Sequence, residues 1–511
     1  VGDITRQEFV SMLPPLFLNV NSNHSVIDMC AAPGSKTMQI LEKLNNENND
    51  EGLIIANDIE TTRCHTLVHQ LNRINTSKAL VINHAAQYIP DLGIEFDRAL
   101  CDVPCSGDGT FRKNPDATTK WSVRKGSGLP SIQRSILIRG LQMLKVGGMC
   151  VYSTCSMNPI EDEAVINSVL QEINANTQSN DESEMPVSIV DCSHIFPGLK
   201  RSNGMKTWSV YSDIEHKYEK YDDVPEDLRK YIKDTMFPVN VSDSITRCMR
   251  FFPQQNDTGG FFVTVLQKNS PFEARVQNTQ NASNKDWKDA PFIQLSDAEE
   301  GQNIISQIVN DYGIDDDQSK FSSHLFTRTE NSGKTIFYLS KHIADVVKRI
   351  PYQKLRPVAC GTRIFSYKKL NDENAVNAFP CFEGIEILKN AATKRIVTIS
   401  PADLKATFKA GNDGLQFSEM SEKVAEELKE LTIGGLIIQC EGTNLVYGGM
   451  KRKSNLTLQV KKERIQQEIM KLGNLFPELA EKEDNEEKED EADDDVDNKE
   501  ADNDGDDDVE Q

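Results

Sequence analysis

Two cysteines fifty residues apart stand where this chain can do chemistry. Cys105 lies in LCDVPCSGDGT (residues 100–110) and Cys155 in VYSTCSMNP (residues 151–159). Each ends an apolar, strand-like run beside a proline, glycine or hydroxyl-rich turn, so both thiols can face one pocket at the carboxyl ends of neighbouring strands. Open α/β sheets bind ligands in the crevice outside those ends, where Asp102 would also lie. A thiolate there is a nucleophile able to form a covalent intermediate. The competing reading of either cysteine alone is a small hydrophobe that packs in a core.

The elements that must position these residues read as alternating strand and helix. SVIDM (25–29) is a buried strand running into Cys30, Ala31, Ala32, Pro33, Gly34, Ser35, Lys36 and Thr37, then a helix, MQILEKL. Gly34 and the alanines let backbone approach a ligand, and the helix N-terminus offers free N–H groups. The stretch lacks the full dinucleotide glycine pattern, and Lys36-Thr37 without an earlier spaced glycine is no P-loop. GLIIAN (52–57) ends in Asp58, placed to accept hydrogen bonds from the ribose hydroxyls of an adenosine-containing cofactor, with a helix cap as the alternative. Residues 62–72 read as a helix, 79–83 as a third strand, 97–103 as a fourth, 131–144 as a helix and 148–153 as a fifth strand. PIEDE (159–163) opens a further helix, and RQEFVSML near the N-terminus is a short helix ending at Pro14-Pro15. This alternation predicts an α/β fold with a doubly wound, mostly parallel sheet.

Composition narrows the class. The 511 residues suffice for two or three domains, and 38% hydrophobic content supplies their cores. Eleven cysteines without a Cys-x-x-Cys pair suggest no disulfide or zinc framework, so no metal is expected and a reducing compartment is. No apolar run approaches membrane-spanning length, and the polar, acidic N-terminus does not read as a signal peptide. The net charge of −22 is mostly local: residues 481–511 hold 19 acidic and 3 basic side chains, leaving −6 for the rest. Such a run is expected to stay disordered, so overall charge says little about the substrate.

Five ordered motifs, DMCAAPGSKT, ANDIE, CDVPCSGDGTFRKNP, YSTCSMNPIEDEAVI and RCMRFFPQQNDTGGFFVTVL, resemble the Nop/Sun-type RNA cytosine-5 methyltransferases, within them the eukaryotic multisite tRNA group. The resemblance covers roughly residues 5–266. It implies a Rossmann-like S-adenosylmethionine-dependent fold, with that cofactor held by residues 30–36, Asp58, Ala85 and Asp102. It makes Cys155 the nucleophile that adds to carbon 6 of cytosine and associates Cys105 with product release. Asp102 would bond the cytosine edge, and Lys36 would favour a Cys155 thiolate or steady the carboxylate. The target base must come from a loop or be extruded. Two positions depart from the family pattern: Ala85 where an aspartate usually reaches the adenine, and Gln254 where a histidine usually follows Pro253. The family's core usually follows an RNA-contacting extension, and this chain begins at Val1 without methionine, so upstream residues are expected to have been removed.

Beyond residue 268 the texture changes. Residues 269–320 read as a polar linker, 321–475 as a compact, mostly β domain resembling a PUA-like RNA-binding domain, and 476–511 as the acidic tail. KTIFYLS, RIFSYKK, GIEIL, RIVTIS, GLIIQC, NLVYGGM and LTLQV are its expected strands, and 421–430 a helix. Lys451, Arg452, Lys453, Lys461, Lys462 and Arg464 would contact phosphate, serve as a nuclear import signal or form a solvated face. The expected function is tRNA cytosine-5 methylation by a monomer, nuclear or nucleolar with cytoplasm as the alternative. The alternatives in function are an RNA-binding scaffold on the same fold, a member acting on rRNA or mRNA, and a DNA-type enzyme using Cys105 as nucleophile.

Overall fold

The computed structural model describes residues 6–46, 51–177, 181–274, 287–328 and 334–480. Its largest sheet is built on β1 (Ser25–Asp28), β2 (Leu53–Asn57), β3 (Ala79–Ile82), β4 (Phe96–Asp102), β5 (Leu144–Thr154), β6 (Met249–Phe251), β7 (Phe261–Lys268) and β8 (Pro357–Cys360). The order is β8-β3-β2-β1-β4-β5-β7-β6, continued by Ser202–Asn203, with Val187–Ile189 also paired to β7. β1 to β5 are mutually parallel, while β7 and β8 run antiparallel to their neighbours. This is the expected doubly wound, Rossmann-like topology, and its chain order reverses between β1 and β4.

The inner strands are near-continuous apolar runs because both faces are covered. On one face Ile27, Ile55 and Leu80 pack with α3 (Pro130–Gln142) and α4 (Glu163–Asn174). On the other, Val26, Ile54 and Val81 pack with α1 (Ser35–Leu44) and α2 (Thr61–Leu71). Near the N-terminus a 3₁₀ turn, Val10–Met12, leads into a helix, Leu13–Phe17. Pro14 and Pro15 therefore lie in the helix's first turn and do not end it. First-turn N–H groups have no intrahelical acceptor, so proline costs nothing there.

The C-terminal region departs from the expected boundaries. Residues 293–320 are not a linker: Ile293–Gln294 joins a five-stranded sheet, and the helix Gly301–Tyr312 buries Ile304, Ile305, Ile308 and Tyr312 beneath it. Gln302, Asn303, Ser306, Gln307 and Asn310 lie on that helix's outer face, and residues 275–286 of the expected linker lie outside the described residues. GIEIL forms a helix, Ile385–Ala391, because Ile385 and Leu388, three apart, share its buried side. The region holds two five-stranded sheets, the second made of Ile396–Ile399, Gly434–Cys440, Val446–Lys451, Asn455–Leu458 and Leu415–Gln416, with α5 (Lys462–Leu475) packed beside it. Residues 477–479 form a further 3₁₀ turn, and the acidic run 481–511 lies outside the described residues.

Nor does the first domain close at residue 268. β8 pairs with the β3 edge, and Leu339, Ile343, Val346 and Leu355 join its core. An exposed strand edge invites mispairing, and here the following region covers it. Among the described residues no helix is long and apolar enough to cross a membrane.

Candidate active site

β4 and β5 lie side by side with Asp102 opposite Ser153, so the loops that follow them emerge together. The Ser153 hydroxyl donates to Asp102 Oδ1 at 2.7 Å, and Lys36 Nζ stands 2.7 Å from Asp102 Oδ2. Lys36 also lies over the Phe261 ring at 5.3 Å. Of the two roles expected for Lys36, the geometry supplies the one in which it steadies the carboxylate.

Cys105 Sγ and Cys155 Sγ are 3.1 Å apart, both half-buried. The neighbouring sulfur and burial together push the Cys105 thiol well above the ordinary range, so Cys105 keeps its proton at neutral pH. Three links tie the two cysteine loops together. Gly109 N–H donates to the Cys155 carbonyl at 3.0 Å, and Met157 N–H donates to Asp108 Oδ1 at 2.9 Å. A Cβ at Gly109 would meet the Cys155 carbonyl oxygen at 2.7 Å, so the contact requires glycine. The third link is Glu161. Its carboxylate accepts from Ser106 N–H (2.8 Å), the Ser106 hydroxyl (2.6 Å), the Ser156 hydroxyl (3.1 Å), Gln133 (3.2 Å) and Asn158 (3.3 Å). The residue after each cysteine is thus held by one buried carboxylate, whose pKa burial raises.

The acids of PIEDE do not all sit in the helical first turn expected of them. α4 begins only at Glu163, and Glu161, Asp162 and Glu163 are fully buried. Asp162 accepts from Thr154 Oγ1 at 2.6 Å, while buried Arg250 binds Glu163 and donates to the Met157 carbonyl at 2.9 Å. Burying charge demands such pairing.

The turn after β1 is shaped for backbone approach. The Ala32–Pro33 peptide is cis, and Gly34 adopts φ +114°, where an added Cβ would press on Leu67 at 2.8 Å. Gly34 opens α1 without a side-chain cap, leaving its first N–H groups to a ligand. Asp28, at the end of β1, is buried, accepts from Thr37 Oγ1 at 2.7 Å and is pushed up to about 7 by burial. Asp58 accepts from Ala32 N–H at 3.2 Å and Glu60 N–H at 3.1 Å, with Arg63 at 3.5 Å. Asp58 therefore both borders the expected cofactor site and fixes the turn. Ala85 is half-buried just beyond β3, following His84, whose N–H donates to Asn57. Gln254 is exposed on the short helix Pro253–Asn256.

The structure thus brings Lys36, Asp102, Cys105 and Cys155 together, with residues 30–35 and Asp58 on the adjoining strand ends. Sequence reading missed Asp28, Ser106, Ser153, Ser156, Glu161 and Arg250. The hydroxyl residue after each cysteine was a signal for two of them, but nothing local marked Arg250. Cys64, Cys101, Cys150, Cys192 and Cys248 are buried packing residues, and Cys30 is half-buried.

Comparisons with known proteins point to RNA methyltransferases. The 16S rRNA methyltransferase RsmB/F family matches residues 15–207, and the NSUN2 Pre-PUA domain matches residues 294–393, a span that includes residues expected to be linker. A Drosophila melanogaster tRNA (cytosine(34)-C(5))-methyltransferase is 41% identical over 286 residues, covering 52% of this chain and 37% of the relative. A Schizosaccharomyces pombe multisite-specific tRNA:(cytosine-C(5))-methyltransferase is 42% identical, covering 54% and 44%. The chain thus spans less than half the length of these two relatives. A Pyrococcus abyssi tRNA (cytosine(49)-C(5))-methyltransferase is 31% identical over 268 residues, covering 52% of this chain and 71% of the relative. With two thirds of that archaeal relative spanned, and both cysteine motifs set in one site, the chain belongs to the RsmB/F family of methyltransferases.

Proposed function

We propose that this chain methylates carbon 5 of cytosine in tRNA, using S-adenosylmethionine. The observation that carries the reading is the pair of thiols 3.1 Å apart on interlocked loops, beside the Lys36–Asp102 ion pair. Carbon 5 of cytosine is a weak nucleophile until a thiolate adds to carbon 6. Cys155 makes that bond, which places an enamine across carbons 4 and 5. Asp102 bonds the ring edge and stabilises charge as it develops there. Carbon 5 then takes the methyl group. Solvent water takes the carbon 5 proton, and the electrons of that C–H bond re-form the carbon 5–carbon 6 double bond. Cys155 leaves carbon 6 as a thiolate, Cys105 assisting this release as the hydrogen-bond donor to the departing sulfur.

The residues of the β1 turn fit the cofactor: small side chains, an uncapped ten-residue helix and the Asp58 carboxylate. When bound, it supplies an electrophilic methyl group. Residues 30–36 and Asp58 would hold it, while the Ala85 side chain offers the adenine no hydrogen bond.

The second C-terminal sheet and α5 are read as the PUA-like unit, after the Pre-PUA match. Monomeric action and a nuclear location belong to the same proposal. Within the basic run, Lys451 is buried and bonds the Leu431 carbonyl, which leaves Arg452 and Lys453 exposed.

Transfer of labelled methyl to unmodified tRNA, with the modified bases mapped, tests the reading. Label at carbon 5 of cytosine, lost in Cys155→Ala, is the expected result. Retention of transfer in Cys155→Ala would make Cys105 the nucleophile. No transfer from the wild-type chain at saturating cofactor and RNA would leave a binding protein on this fold.

A further inference from the structure

A second site lies between the two halves of the molecule. A cleft of about 870 Å³ opens between the end of α2 and the C-terminal sheets. Arg73, Arg363, Arg452, Lys461 and Arg464 line it, contributed by segments almost four hundred residues apart. Two carboxylates, Glu383 and Glu463, share the wall, leaving a net positive charge of three. This concentration occurs in a chain whose net charge is negative even without its acidic run. Phe382, half-buried, forms part of the wall, with the Arg464 guanidinium 4.3 Å from its ring centre. Cations that track a backbone, interleaved with an aromatic face, are the chemistry of nucleic-acid grooves.

The position relative to the thiols sets what can bind there. α2 starts beside the β1 turn, where Arg63 donates to the Ala32 carbonyl at 2.5 Å, and its eleven residues end at the cleft. The helix is about 16 Å long. RNA engaged at both the β1 turn and the cleft must span at least that distance.

We propose that this cleft holds the sugar–phosphate backbone of the substrate RNA, about the length of α2 away from the β1 turn. The proposal rests on the RNA-methyltransferase reading and adds a second contact, which sets a minimum substrate size. Its contacts are to phosphate and therefore independent of sequence.

The test uses the full chain with Arg452→Glu/Lys461→Glu, both exposed positions in the cleft, and Lys453→Glu/Lys462→Glu, exposed positions outside it carrying the same change in charge. Binding of tRNA is measured against salt, and methyl transfer at saturating RNA. The cleft variant is expected to bind tRNA about tenfold or more weakly, with the slope of log Kd against log salt reduced by about two and kcat unchanged. The control variant should stay within about twofold of wild type. A hairpin of about four base pairs, too short to reach the cleft, should bind both variants alike. Equal tRNA affinity and slope for the cleft and control variants would overturn the proposal, as would an equal loss with the short hairpin. An acidic protein ligand in the cleft would give that first result. If no chain transfers methyl but the cleft variant alone loses RNA affinity, the enzyme reading falls and the cleft assignment stands.

Discussion

Cys105 Sγ lies 3.1 Å from Cys155 Sγ, and the pair is held by loops that bond each other through backbone and through one shared carboxylate. The neighbouring sulfur and burial push Cys105 up, and in the proposed reaction it is the thiol that assists departure of Cys155. Cys105→Ala should therefore form the enzyme–RNA adduct and release it slowly. Denaturing gels are expected to show a slow-migrating RNA complex in Cys105→Ala and none in Cys155→Ala; a complex in neither variant would separate Cys105 from product release.

Glu161 touches neither thiol, yet bonds the residue after each, which makes it a positioning residue. Glu161→Gln keeps the shape but replaces one acceptor oxygen with an NH₂ donor facing the serine donors. A loss of kcat of about tenfold or more is expected, with KM for tRNA little changed, since hydrogen bonds to a charged group are worth about 1.5–3 kcal/mol. Steady-state kinetics decide it: a change in KM alone would place Glu161 in RNA binding.

His84 links the two halves, with Nε2 3.0 Å from the Leu355 carbonyl, and burial pushes its pKa down from 6.5 to about 4. The unfolded chain therefore takes up a proton at a pH where the folded chain does not. Its contribution to stability is intact above pH 6.5 and is lost progressively as pH falls toward 4. His84→Gln, which keeps a donor and does not titrate, should flatten the dependence of the urea midpoint on pH in that window.

Ala85 stands where the family usually has an aspartate for the adenine amine. Supplying the acceptor by Ala85→Asp should tighten cofactor binding by about 1–3 kcal/mol, if the amine is otherwise unpaired. Calorimetric titration with S-adenosylmethionine measures this, and unchanged affinity would show that another group already meets the adenine.

Arg250 is 2% exposed and is the partner of Glu163, itself fully buried beside Asp162. Arg250→Met leaves both acids without their cation and should destabilise the fold by about 3–5 kcal/mol. A shift of the urea midpoint reports it. Replacing Glu163 and Arg250 together by apolar residues should cost less than Arg250→Met alone, because only Asp162 is then left without its cation.

The sequence by itself determined the parallel sheet and the place of both thiols in it. Runs such as VID, LIIAN and ALCD are apolar over consecutive residues, and a strand buried on both faces needs nothing else. Strand ends, and hence Asp102, Cys105 and Cys155, follow from that local pattern. Tertiary structure alone decided what holds them. Glu161 looks like an ordinary first-turn acid until Ser106 and Ser156 arrive from two loops and remove it from water. Arg250 acquires its role only when β6 pairs with β7 and brings it to α4. The span 293–320 is polar enough to read as linker, because a surface helix shows the sequence mostly its wet side. β8 is only four residues and begins with a proline, too short to signal a partner more than 270 residues away. The basic cleft is invisible in the chain for the same reason: Arg73 and Arg464 become neighbours only through the docking of one fold against another.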